Sequence, residues 1–242
     1  MEFGRSKKKM ASRSLAPTGV GRLRIRWGRK DSQRLLSHLD NMRAIEQAIR
    51  DSGIPVTYSQ AAHPRMKLSF SPPLPMGFTS EAEFVDISLD QICTSSMINS
   101  IRKSMPDGFE LLETKTVFAK TASLSESINR AIYTLKLDDH ADIAKLKEQA
   151  AALLIKNKIE IMRKTKSGET PVDIRPLIFE IKINQCELQL TLGTGQSGYA
   201  RPTEVAQLLL GIDELQAATL QFHRKEMYRQ TEDSRYIPAI EL

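Results

Sequence analysis

The chain has 242 residues, 40% hydrophobic and 26% charged, with a formal net charge of +6. This is ordinary globular composition and excludes disorder throughout, and no run approaches the roughly 18 apolar residues of a membrane span. Two distant cysteines, Cys93 and Cys186, exclude a disulfide framework, a four-cysteine zinc site and an iron–sulfur cluster held by this chain alone.

The charge is uneven. Residues 1–21 hold five bases against one acid, residues 22–67 ten against four, and the remainder 20 against 24. The positive charge therefore gathers in one tail and one motif-dense stretch, which suits a surface that meets phosphate. No charged-then-apolar leader opens the sequence, so a reducing cytoplasm is the expected address.

Residues 1–21 lack periodicity and read as a disordered basic tail. From Arg22 the pattern sharpens: Leu23, Ile25 and Trp27 alternate with Arg24 and Arg26, the period of a half-buried strand. A helix is predicted over 38–52, with Ser37 as N-cap, Asp40 three residues on, and Leu39, Met42, Ile45 and Ile49 as its apolar stripe. Gly53 stops it. A strand over 55–60 precedes an irregular, proline-rich connection that holds a short strand at 67–70. Strand 83–89, helix 95–104 and strand 109–117 complete a β-α-β-β-α-β unit over 22–118.

A polar linker spans 119–127. The order then recurs over 128–230: strand 131–137, helix 141–156, strand 159–164, strand 177–192 with a turn near Asn184, helix 202–210 and strand 219–228. An extra hairpin is expected around 184–192, and 231–242 reads as a C-terminal tail. The expected fold is α+β, two tandem ferredoxin-like sandwiches, each an antiparallel sheet backed by two helices.

No GxSxG, HExxH, GxxxxGK[ST] or strand-linked GxGxxG occurs. His38, His63, His140 and His223 are not spaced as metal ligands, and neither metal nor cofactor is expected in this chain. SHLDNMR (37–43) is unusual, as is the segment 58–77. A helix N-terminus offers free N–H groups to anions, and His38, Asn41 and Arg43 lie there. The later segment adds His63, Arg65 and Lys67 on a proline-restricted loop, with Tyr58 available for stacking. Together they would make a basic cleft against phosphate or a base; the competing reading is a polar first turn beside a stiffened surface loop. Asp173 and Arg175, two apart before Pro176, read as a pair that either stabilises a strand entry or meets a partner.

RLLSHLD (34–40), YSQAAHPRMKLSFSPPLPMGFTSEAEFVDI (58–87), PVDIRPLI (171–178) and YARPTEV (199–205) resemble the radical-SAM-linked family with a DUF2344 domain, over nearly all of 22–230. Ala61-Ala62 replaces that family's usual Gly-Phe turn, and Met66 stands where proline is frequent. Its members are encoded beside, or fused to, a radical SAM protein. Such an enzyme needs three closely spaced cysteines for its cluster, so the resemblance implies a non-catalytic partner. The expected function is substrate recognition for a radical SAM enzyme, with RNA or an RNA-associated substrate bound through His38, Asn41, Arg43, Tyr58, His63, Arg65, Lys67, Asp173, Arg175 and Arg201. Two alternatives stand beside it. One is a small acid–base enzyme using His38, Asp40 and His63, although Asp40 at a helix N-terminus suits capping better; the other is an adaptor that binds only protein.

Overall fold

The structure, a computed structural model, describes residues 21–118, 122–165 and 168–242. The expected basic tail lies outside the described residues except for Gly21, and so does the start of the linker. The first half comprises β1 (Gly21–Arg29), α1 (His38–Asp51), β2 (Leu68–Phe70), β3 (Thr79–Leu89), α2 (Ser95–Ser104) and β4 (Phe109–Val117). After α3 (Leu124–Ser127), the second half runs β5 (Arg130–Lys136), α4 (Ile143–Leu154), β6 (Glu160–Thr165), β7 (Gly168–Asp173), β8 (Ile178–Ile183), β9 (Glu187–Gly193), α5 (Pro202–Leu210), α6 (Glu214–Ala218), β10 (His223–Gln230) and β11 (Tyr236–Pro238).

The local signals act as their chemistry dictates. Ser37 Oγ accepts the Asp40 N–H at 3.2 Å and donates to the Asp40 carboxylate at 2.6 Å, fixing the start of α1. Gly53, at φ +66°, follows its end. Leu23, Ile25 and Trp27 of β1 are buried beside Ile45 and Ile49 of α1 and Ile101 of α2. The segment 55–60 makes only the isolated bridges Val56↔Leu89 and Tyr58↔Met66, not a full strand.

One mixed sheet runs through both halves in the order β4-β1-β3-β10-β5-β9-β8, with β2 also on β3 and β11 also on β10. The pairings are antiparallel except at the seam, where β10 meets β3 in parallel through His223↔Thr79 and Arg224↔Ser80. The second core is not self-contained: it takes in Leu74, Phe78, Ala82 and Phe84 from the first half. The halves thus share a sheet and a core.

Two further expectations are corrected. The extra hairpin is β6–β7, paired from Glu160↔Asp173 to Thr165↔Gly168 as a separate two-stranded sheet. Residues 178–193 form the β8–β9 hairpin of the main sheet and turn near Asn184 as expected, with Asn184 Oδ1 accepting the Cys186 and Glu187 N–H groups. Alternation in 159–164 marks a strand without saying which sheet receives it. Residues 231–242 are also no loose tail: Ala239 and Ile240 are buried. Arg24 grips Asp86 at 2.7 and 2.9 Å and donates to the carbonyls of Ala239 and Leu242 at 2.7 and 2.6 Å.

A cleft between the halves as candidate functional site

The segment from Ser71 to Phe78 carries three prolines, which lack N–H groups, so its backbone needs donors from elsewhere. Two buried arginines supply them. Arg29 donates to the carbonyls of Pro75 (2.7 Å), Phe78 (2.6 and 3.1 Å) and Leu36 (3.2 Å). Arg224 donates to the carbonyls of Pro72 (3.0 Å) and Pro73 (2.7 Å), to the Glu83 carboxylate (3.0 and 3.3 Å) and to the Tyr133 hydroxyl (3.0 and 3.3 Å). Burial holds Arg29 down at about 10, against the pull of Glu83. Burial also acts against the Arg224 cation, but Glu83 and Tyr133 outweigh it and its pKa rises. The loop therefore turns the carbonyls of Pro72, Pro73, Pro75 and Phe78 inward and leaves Pro73, Pro75 and Met76 exposed on its outer side.

That outer side is one wall of a cleft of about 1140 Å³. The opposite wall comes from the second half. Arg163 on β6 forms a bidentate pair with Glu204 (2.8 and 2.6 Å), donates to the Tyr199 carbonyl (2.9 Å), and stacks 4.3 Å from the Tyr199 ring centroid. Glu204 also accepts the Arg201 N–H at 2.9 Å, capping α5. The Arg201 side chain stays exposed, 3.7 Å from Glu204 and 5.9 Å from the Tyr199 ring. Gly195 lies on the adjoining loop at φ +80°, where an added Cβ would meet the Ile128 carbonyl at 2.5 Å.

Of the residues singled out from sequence, Arg201 alone lines this cleft. His38 and Asn41 line a separate, water-sized space of about 10 Å³ with Trp27, Leu74 and Glu83. Asn41 Oδ1 and Trp27 Nε1 are buried without a hydrogen-bond partner among the described residues. Burial lowers the His38 pKa, opposed by Glu83 and reinforced by Arg224 and Arg29. A histidine with a depressed folded pKa contributes stability that is present above the unfolded value of 6.5 and lost as pH falls through the folded value. Acidification from pH 7 to 5 is therefore expected to lower the melting temperature less in His38→Gln than in the parent protein. Equal losses would show that His38 carries none of the acid sensitivity.

Arg43 is exposed and pairs with Asp40 at 3.5 Å. Tyr58 and Met66 bridge a hairpin closed by Ser59 N–H to the Arg65 carbonyl (2.8 Å) and Arg65 N–H to Ser59 Oγ (3.0 Å). His63, Arg65 and Lys67 are exposed on it. Hydrogen bonds from Thr57 N–H to Ser88 and from Ser88 N–H to Lys67 fix this hairpin at the level of Ser88. The His38 pocket lies at Glu83, five residues or about 17 Å back along β3. The hairpin and the His38 pocket thus meet β3 at different levels.

Asp173 and Arg175 make no ion pair with each other. Asp173 Oδ1 accepts the N–H groups of Ile159 (2.9 Å) and Arg175 (3.0 Å), which hold its pKa below the usual carboxylate range. The Arg175 guanidinium donates to the carbonyls of Leu154 (2.5 Å), Lys156 (3.0 Å) and Ile178 (3.0 Å), tying the end of α4 to β8. Arg175→Ala is expected to cost about 1.5–3 kcal/mol through these charge-assisted bonds, read as a lower denaturation midpoint. An unchanged midpoint would remove this assignment.

Sequence reasoning missed Arg163, Tyr199 and Glu204 as a unit, and the two arginines behind the proline loop. Tyr199 and Glu204 stood in the YARPTEV stretch, but Arg163 is distant in sequence and carries no local signal.

Fold and site together define a mixed α+β protein whose single large sheet holds a cleft between its two halves. The profile of the family described as an uncharacterised protein conserved in bacteria, DUF2344, matches residues 22–202, three quarters of the chain, and the chain belongs to that family. The match takes in the proline loop, Arg163 and the Tyr199–Arg201 wall. No curated protein matches the chain.

Proposed function

We propose that this chain is a non-catalytic, cytoplasmic substrate-recognition partner of a radical SAM enzyme, taking RNA or an RNA-associated substrate in the cleft between its halves. The observation that carries the reading is the cleft itself. Its walls come from different halves, and each is fixed by a buried or half-buried guanidinium network, Arg29 and Arg224 behind one and Arg163 within the other. Such a preformed space saves ordering entropy on binding. The strand orders support a tandem ferredoxin-like reading: β4-β1-β3-β2 in the first half is matched by β10-β5-β9-β8 in the second, with β6–β7 as an insertion. The radical SAM link rests on the family resemblance and on a cysteine count that leaves cluster chemistry to a partner.

The test is ultraviolet crosslinking in cells, followed by purification of the full chain and peptide mapping. Nucleotide adducts are expected on residues 72–78 and 194–207, together with a co-purifying protein that has three closely spaced cysteines. Recovery of neither would overturn the reading.

A further inference from the structure

We infer that the cleft seats a single nucleotide-like unit, a planar heterocycle with one anionic group, and not a run of sugar–phosphate backbone. The inference rests on the reading of this cleft as the recognition site. Its charge argues first. Arg163, Lys164 and Arg201 line it against Glu169, Glu204 and Glu214, so the lining is balanced, whereas a groove that tracks several phosphates needs an excess of cations. Glu204 already engages Arg163 through both carboxylate oxygens. Arg201, 52% exposed and 3.7 Å from Glu204, is the loosely held guanidinium that can turn to one anion.

Shape and polarity argue next. Tyr199 is 45% exposed, and the Arg163 stack at 4.3 Å holds its ring in place, which makes a rigid platform for a flat group. The facing proline loop has no N–H at Pro72, Pro73 and Pro75, and its carbonyls are taken by Arg29 and Arg224. What it turns to the cleft includes the apolar rings of Pro73 and Pro75 and the exposed Met76 side chain. Gln196 and Gln207 line the same space, and each side-chain amide both donates and accepts, as the edge of a base requires. A fatty chain would leave these amides unpaired.

Titration of the full chain with the four ribonucleoside 5′-monophosphates, and separately with laurate, decides the point by calorimetry and saturation-transfer NMR. At least one monophosphate is expected to bind saturably at one site. Tyr199→Ala should weaken it about tenfold or more while Tyr199→Phe retains it. Arg201→Ala should weaken the monophosphate about tenfold and leave the corresponding nucleoside unchanged, with melting temperatures confirming that each variant is folded. The inference is overturned if no monophosphate binds at millimolar concentration, if laurate binds in their place, or if Arg201→Ala weakens the nucleoside equally. Crosslinks that map to the cleft without monophosphate binding sink the ligand class alone. Crosslinks confined to the hairpin 58–67 sink the cleft as recognition site, and this inference with it.

Discussion

Arg224→Met is expected to lower the unfolding free energy by about 3–5 kcal/mol, the usual cost of leaving one partner of a buried ion pair uncompensated. Arg224 is 1% exposed and Glu83 4% exposed, so water cannot replace the lost cation. Methionine fills much of the same volume, which keeps a simple cavity from explaining the loss. The substitution also strips the carbonyls of Pro72 and Pro73 of their donor, and the cleft wall should loosen with it. Adding Glu83→Gln removes the stranded charge, so the double variant should be more stable than Arg224→Met alone. Denaturant unfolding of the four proteins of this cycle checks both statements. A loss under about 1 kcal/mol would mean that the pair is not the clamp described.

Removing residues 236–242 is expected to cost a similar amount, about 3–5 kcal/mol. Burial of a side chain such as Ile240 contributes about 1.5–3 kcal/mol. The two carbonyls that accept from the buried Arg24 guanidinium contribute on the same order, since hydrogen bonds to a charged group are worth about 1.5–3 kcal/mol. Arg24 would keep Asp86 but lose the acceptors for its remaining N–H groups. The strand pairing of Tyr228 with Pro238 would go as well. A truncated chain with an unchanged thermal transition would restore the view of this segment as a tail.

Much of the first half could be read from local chemistry. The Ser37–Asp40 cap, the apolar stripe of α1 and the alternation in β1 each act within a few residues, and each is present in the structure. What escaped was set at long range. Arg24 follows the polar phase of β1, yet it is buried because Asp86 and the C-terminal segment, 62 and more than 200 residues away, close over it. Residues 159–164 have strand character in any sheet, and only their pairing with Gly168–Asp173 separates them from the main one. The site was less legible than the fold. Its walls come from residues 72–76, 163–164 and 194–207, and neither proline content nor a lone arginine says which way a loop will face. Arg201 was picked out only as part of the YARPTEV resemblance.

The seam between the halves has a consequence for synthesis. A nascent chain that has reached Val117 holds every strand of the first half, but Glu83 must wait for Arg224, 141 residues downstream. At roughly 5–20 residues per second this is a delay of about 7–28 s. Throughout it the Thr79–Ser80 end of β3 lacks its neighbour, and Ala82 and Phe84 lack the core that will enclose them. The carboxylate stays hydrated until its cation emerges, because burying it unpaired is too costly. The first half can gather its own core on the ribosome, yet it cannot close. Closure waits for β10.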